Sequence, residues 1–368
     1  MKVMTIVGTR PEIIRLSCVI KRFDDLFDHV LVHTGQNHDH ALSQIFFDDL
    51  GIREPNHFLN VDKSTLGTTL GDVLKYSERV ITQERPDAVL ILGDTNSCIA
   101  AFMAKRMRIP VYHMEAGNRC FDENVPEEIN RRLIDHVSDF NLPYTEHARR
   151  NLLAEGLHPR RVVVTGSPLR EVLNSSKEAI DSSTVVSRLG VSPGNYFLVS
   201  AHREENVDNP LRLRAFCESL DALTSRFGLP VVVSTHPRTR NRLQEQGLAA
   251  SNNVSFMEPF GFYDYVRLQL DSRCVLSDSG SVSEEAYMLG FPAVTFRSSI
   301  ERPEALEAGT IILADSDPDR ICEAMDQAIL QRSSESIIDE YDVPNTSEIV
   351  ANLIRSTAPV HAEWSGLR

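Results

Sequence analysis

Short apolar runs separated by longer amphipathic stretches recur along the whole chain, and this alternation limits the fold more than any other feature. VMTIV (3–7), HVLVHT (29–34), AVLIL (88–92), PVYHM (110–114) and RVVVT (161–165) form one series. YFLVS (196–200), PVVVST (230–235), CVLS (274–277), PAVTF (292–296) and TIIL (310–313) form a second. Runs this short and this rich in branched residues predict strands of parallel sheets covered on both faces. The stretches between them, such as 65–84, 97–108, 209–226 and 318–331, have helical spacing. The pattern predicts an α/β protein of strand–helix units joined by right-handed crossovers.

A length of 368 residues suits two domains. Ser, Gly and Pro cluster at the ends of 166–195, which places a junction near its start. The expected division is 1–167 and 168–345, two Rossmann-like domains, with a C-terminal helix at about 346–368 packing back on the first. No apolar stretch approaches the roughly 18 residues of a membrane span. The N-terminal MKVMTIVGTRPE reads as a first buried strand and not as a secretory signal. Six cysteines without CxxC or CxxxH spacing argue against a disulfide framework and a structural zinc, and for a reducing cytoplasm. A formal charge of −14 disfavours a nucleic-acid partner, so an anionic small ligand needs a local basic cluster.

The strand ends carry the chemistry. They run into GTRPE (8–12), TGQN (34–37), GDTN (93–96), EAGN (115–118), SAHREEN (200–206), STHPR (234–238), SDSGS (277–281) and SSIERPE (298–304). In open parallel sheets, ligands bind outside the carboxyl ends of the strands. Any single turn could be an ordinary helix cap, with Asp94, Thr95 or Ser279 satisfying free N–H groups. Caps do not call for Arg10, Glu115, His202, Arg203, His236 and Arg238 as well. The set predicts two domains facing each other across a cleft. GTRPE stands where a nicotinamide-binding chain carries GxGxxG, so no such cofactor is expected. Ser279, Gly280 and Ser281 offer a phosphate cradle at a helix start, and Glu285 is placed to accept hydrogen bonds from ribose hydroxyls.

At these residues the chain resembles the non-hydrolysing UDP-N-acetylglucosamine 2-epimerase family, whose fold is like that of the two-domain GT-B glycosyltransferases. GTRPEIIR, LGDTNS, HMEAGNR, VPEEINRR, SAHREEN, LSDSGSVSEE and ERPE appear in family order. Within the family, IVGTRPEIIRLS, HTGQNHDH, MEAGNRCF and SAHREENVD look closest to the UDP-N-acetyl-L-fucosamine synthases of capsule and O-antigen pathways. The alternative within the family is interconversion of UDP-N-acetylglucosamine and UDP-N-acetylmannosamine. Arg15 stands where the GlcNAc enzymes usually carry lysine, and QNHDHALSQ (36–44) differs from the stretch that helps bind an activating second nucleotide sugar there.

The resemblance implies an isomerase without metal or cofactor, a homodimer, and a UDP-2-acetamido sugar held by the C-terminal domain. It implies elimination of UDP to a 2-acetamidoglycal and re-addition after proton delivery to the other face of C2. Asp94, Glu115 and Glu127 match family catalytic carboxylates, and His202 is placed to aid departure of the diphosphate as a cation. Glu127 follows Pro126 in the first turn of a helix, with Arg131 at i+4 as a partner. Arg10, Arg15, His236, Arg238 and Arg302 are the candidate basic cluster, and Tyr265 matches a position that contacts uracil. Two other classes compete. A GT-B glycosyltransferase needs only one base and an acceptor groove, which leaves the three carboxylates superfluous. A non-catalytic nucleotide-sugar sensor needs none of them.

Overall fold

A computed structural model describes every residue except 37–45, 202, 249–250, 298–299, 332–337 and 368, together with the side chains of 204 and 205. His202, and QNHDHALSQ beyond Gln36, lie outside the described residues.

The chain forms two compact units, Met1–Ser175 with Asp339–Arg368, and Ser176–Ile338. The first holds a six-stranded parallel sheet in the order β3-β2-β1-β4-β5-β6. Its strands are β1 (Lys2–Val7), β2 (Asp28–His33), β3 (His57–Phe58), β4 (Ala88–Leu92), β5 (Val111–Met114) and β6 (Phe140–Leu142). The second holds β7 (Phe197–Ala201), β8 (Val231–Thr235), β9 (Val254–Met257), β10 (Cys274–Ser277), β11 (Ala293–Phe296) and β12 (Ile312–Ala314). Their order is β12-β11-β10-β7-β8-β9, which is the same topology. In each sheet the strand order reverses at the centre, between β1 and β4 and between β7 and β10.

The strands follow from the apolar runs. All five residues of β4 and all five of β7 are buried. Tyr196 and Leu198 face one apolar cluster of the second unit, while Phe197, Val199 and Ala201 face the other, so helices cover both sides. The helix Arg10–Leu26 opens straight from the β1 turn, with Pro11 in its first turn where a missing N–H costs nothing.

Two expectations change. RVVVT (161–165) makes only an isolated bridge, between Val162 and Asn141. A 3₁₀ turn at Pro159–Arg161 precedes it, and past Thr165 the chain turns away to bond Glu340 through the Ser167 N–H. The short strands β3, β6 and β9 went unread. The division of the chain falls at 175/176 and 338/339, beyond the expected 167/168 and ahead of 345/346. Residues Leu169–Ser175 form a helix that buries Leu169, Val172 and Leu173 in the first unit. Glu171 there accepts the Ser347 N–H at 2.8 Å.

The helix Thr346–Thr357 packs on Arg10–Leu26, burying Val350, Ala351 and Ile354, and Glu348 pairs with Arg22. Tyr112 of β5 bonds Thr357 at 2.6 Å, and Arg160 lies 3.4 Å over the Trp364 ring. No helix among the described residues is long and apolar enough to cross a membrane. Truncating Ile354 to Ala leaves a cavity against the first helix and costs ~2–5 kcal/mol. Urea unfolding of the full chain, with amide exchange accelerated in β1 and β5 but not in β7, is the expected outcome.

Candidate active site

In the first unit the β1 and β4 turns lie so close that a Cβ on Gly8 would sit 1.7 Å from Ser97 Oγ and 2.2 Å from Thr34 Oγ1. Only glycine allows this approach. Ser97 Oγ is 2.8 Å from Thr34 Oγ1 and donates to Gln36 Oε1 at 2.9 Å, tying the TGQN turn of β2 to the same point. Glu12 bridges the two central turns. Its Oε2 accepts the Gly8 and Thr9 N–H groups at 2.6 and 3.3 Å, and its Oε1 accepts the Thr95 hydroxyl at 2.6 Å.

Asp94 follows in the β4 turn. Arg131, from the helix Pro126–Val137, donates to its carboxylate through Nη2 at 2.7 Å and Nε at 2.9 Å. Glu115 occupies the β5 turn, where Arg15 Nη1 lies 3.4 Å from Oε2 and the Tyr144 hydroxyl donates to it at 3.3 Å. Arg15 also stacks 5.7 Å above the Tyr144 ring, and Arg10 5.7 Å above Phe46. The Glu115 backbone has φ +64°, a left-handed conformation that costs a side-chain-bearing residue about 1–3 kcal/mol. Gly117 two residues on has φ +81°, and a Cβ there would meet the Ala148 carbonyl at 2.3 Å.

Glu127 lies half-buried in the first helical turn. Its neighbour Glu128 is the buried one, accepting the Cys120 N–H at 3.1 Å, Arg131 Nη1 at 3.2 Å and Arg132 Nε at 3.1 Å. Burial works to raise the Glu128 carboxyl, but the Cys120 bonds and the arginine charges hold it below the usual range.

In the second unit the β7 and β10 ends meet at the strand reversal. Ser200 and Ser277 lie opposite each other in register, with hydroxyls 2.7 Å apart, and Tyr265 donates to Ser200 at 3.1 Å. Tyr265 thus sits half-buried against the sheet, its phenol pushed well up by burial. Beyond β10, Ser279, Gly280 and Ser281 enter the helix Val282–Leu289, and Ser279 Oγ lies 3.0 Å from Ser281 Oγ. Arg302 reaches this turn, but as its support. Its Nη1 donates to the Gly280 carbonyl at 2.9 Å, and its Nε lies 2.6 Å from the fully buried Glu284. Glu285 accepts Gln269 Nε2 at 2.5 Å.

His236 Nδ1 caps the helix Pro237–Glu245 by accepting the Arg238 N–H at 3.3 Å. Arg238 pairs with Asp208, which Arg242 also engages. The basic groups expected for an anion are therefore anchored by carboxylates: Arg15 by Glu115, Arg238 by Asp208 and Arg302 by Glu284. For the buried Arg15 and Arg302 the reason is general, since a guanidinium withdrawn from water needs a counter-charge.

Sequence reading missed Glu12, Glu128, Asp135, Glu284 and the Arg297–Glu301 pair, whose two bonds are both 2.7 Å. A signal existed for some: Glu128, Arg131 and Asp135 recur at i, i+3 and i+7, one helix face, and all three are buried.

Against this geometry, a family model described as UDP-N-acetylglucosamine 2-epimerase matches residues 21–355. The solved UDP-N-acetylglucosamine 2-epimerase of Rickettsia bellii is 42% identical with TM-score 0.90, covering 98% of each chain. The Methanocaldococcus jannaschii UDP-GlcNAc 2-epimerase, solved with UDP-GlcNAc and UDP, is 33% identical with TM-score 0.91 over 97% of this chain and 100% of that one. The UDP-2,3-diacetamido-2,3-dideoxy-D-glucuronate 2-epimerase of Pseudomonas aeruginosa is 36% identical over 88% of this chain and 91% of its own length.

Burial raises the Glu12 carboxyl from 4.5 to about 7 against the opposing bonds from Thr95, Gly8 and Thr9. Between those values the folded state keeps a proton that the unfolded chain has released, so this group's contribution to stability falls as pH rises. The stability of wild type relative to Glu12→Gln should therefore drop by about 2–3 kcal/mol from pH 5 to pH 8. Paired urea titrations measure it, and a pH-independent difference contradicts the assignment.

Proposed function

The chain belongs to the non-hydrolysing UDP-N-acetylglucosamine 2-epimerase family, and we propose that it interconverts UDP-N-acetylglucosamine and UDP-N-acetylmannosamine. At the level of the family it is a nucleotide-sugar 2-epimerase, an isomerase acting on a UDP-2-acetamido sugar. The GlcNAc reading is preferred because the two solved relatives above carry that name. The UDP-N-acetyl-L-fucosamine reading rests on motif wording alone, and none of the three relatives bears such a name.

The chemistry is constrained by C1, an acetal carbon carrying diphosphate. C2 has no neighbouring carbonyl, so plain deprotonation yields no stabilised carbanion. In the proposed route a carboxylate takes the C2 proton while the C1–O bond breaks and its electron pair leaves with UDP. The resulting 2-acetamidoglycal then takes a proton at C2 from the other face, and a UDP oxygen re-forms the bond to C1. This requires an acid–base group on each face and a holder for departing UDP.

The observation that carries the reading is the pair of carboxylates Asp94 and Glu115 at the ends of adjacent strands β4 and β5, each held against a buried arginine. Glu127 is the third acid in this proposal. The Ser279–Ser281 turn supports UDP binding by the second unit, because its backbone N–H groups stand at a helix start. Arg302 and Glu284 hold that turn in shape, so Arg302→Ala should weaken UDP affinity through the turn.

Asp94→Asn, Glu115→Gln and Glu127→Gln should each lower kcat by ~10²–10⁴-fold with UDP affinity kept. Proton NMR of the turnover of UDP-N-acetylglucosamine and of UDP-2-acetamido-2,6-dideoxy-L-talose reads both activity and substrate. Two variants of near-normal activity defeat the assignment, and preference for the talose defeats the proposed substrate.

Oxygen labelling tests the route itself. Free UDP rotates before it re-adds, so a label in the C1–O–P bridge should scramble into the non-bridging positions of the β-phosphate. Deuterium from solvent should appear at C2. Epimerisation over many turnovers with the bridge label fully retained sinks the elimination mechanism.

A further inference from the structure

We propose that the buried His113 and Asp135 together fix the Asp94 and Glu115 turns relative to each other, both acting as positioning residues for epimerisation. The proposal rests on the roles given above to Asp94 and Glu115.

His113 lies in β5 and Asp135 on the helix Pro126–Val137, and both are fully buried. His113 Nε2 is 2.7 Å from the Gly93 carbonyl. A carbonyl oxygen only accepts, so Nε2 carries a proton. Nδ1 is 2.9 Å from Asp135 Oδ1, close enough for an ion pair but without the alignment of a straight hydrogen bond.

Asp135 is kept anionic by donors on its other side. Arg119 Nη1 donates to Oδ2 at 2.7 Å and the Gly117 N–H at 3.1 Å. Arg119 is in turn gripped by Glu155 at 2.8 and 2.6 Å, and His136 Nε2 lies 3.2 Å from the same Glu155. Charges thus alternate from Asp135 through Arg119 to Glu155, and the Arg119 guanidinium is not left buried alone.

The contacts explain why such a chain is built in. Gly93, whose carbonyl His113 holds, immediately precedes Asp94. Gly117, whose N–H Asp135 holds, lies two residues past Glu115 in a turn with two left-handed residues. Asp135 also shares its helix with Glu127 and with Arg131, which grips Asp94. The pair therefore bonds to the Asp94 and Glu115 segments and, through Asp135, belongs to the helix that carries Glu127. Buried polar and charged groups seldom stabilise more than apolar replacements do, so the value of this arrangement is geometric.

The first test uses the wild-type protein labelled with ¹⁵N-histidine. Nε2 of His113 should show the shift of a protonated, hydrogen-bonded ring nitrogen, and a bare Nε2 overturns the proposal. The second uses His113→Gln, which keeps a donor toward Gly93 but loses the ring, and Asp135→Asn. Each should lower kcat ~10–10²-fold with KM and UDP affinity unchanged. The double variant should fall no further than the worse single one. A folded single variant with wild-type kcat, or a loss appearing in KM alone, overturns it. If the variants do not fold, the nitrogen shifts decide. Should Asp94→Asn and Glu115→Gln prove active, the catalytic reading fails while the protonation result stands on its own.

Discussion

A parallel strand covered on both faces takes a polar side chain within its span only where a buried partner meets it, and most of this chain's chemistry therefore sits beyond the strand ends. The central strands β1, β4, β7 and β10 are apolar along nearly their whole length. Their polar residues gather where the strand order reverses, the place where two successive turns diverge and leave space. Those turns are themselves largely shielded from water. Each charge put there or at the end of a neighbouring strand must bring a counter-charge, hence Arg131 with Asp94, Arg15 with Glu115, Arg302 with Glu284 and Arg297 with Glu301.

The same limit explains what could be read in advance. Among the described residues, the apolar runs announced nine of the twelve strands because burial on both faces leaves continuous hydrophobic segments. β3 and β6, of two and three residues, are too short for such a signal, and β9 is not fully buried. RVVVT misled because four apolar or branched residues look alike whether they fill a sheet or line a loop against one. Asp94, Glu115 and the Ser279–Ser281 turn were legible as polar groups at strand ends, and Arg15 through the family resemblance. What they touch was not, because pairing is a matter of three-dimensional distance. Arg302 illustrates this: its position beside the cradle was readable, but its engagement with Glu284 was not.

Glu115 combines these themes. A glutamate in the left-handed region is held against its own preference, and its neighbours show how. Arg15 and Tyr144 hold the carboxylate, while Asp135 holds the backbone two residues on. Side chain and main chain are thus restrained from opposite directions, which leaves the acid little freedom to relax away from the end of β5. A loop residue could reach the same spot, but only with the rotamer entropy that such restraint removes.

The second unit is an insertion, since residues 176–338 interrupt a first unit that resumes at 339. During synthesis the ribosome therefore completes the second unit while the first still lacks its closing helix. Until Thr346–Thr357 emerges, the face of Arg10–Leu26 that it covers stands open, with an apolar surface already translated more than 300 residues earlier. The N-terminal half of the protein is first to be made and last to be finished, reversing the usual order in which domains close as they leave the ribosome.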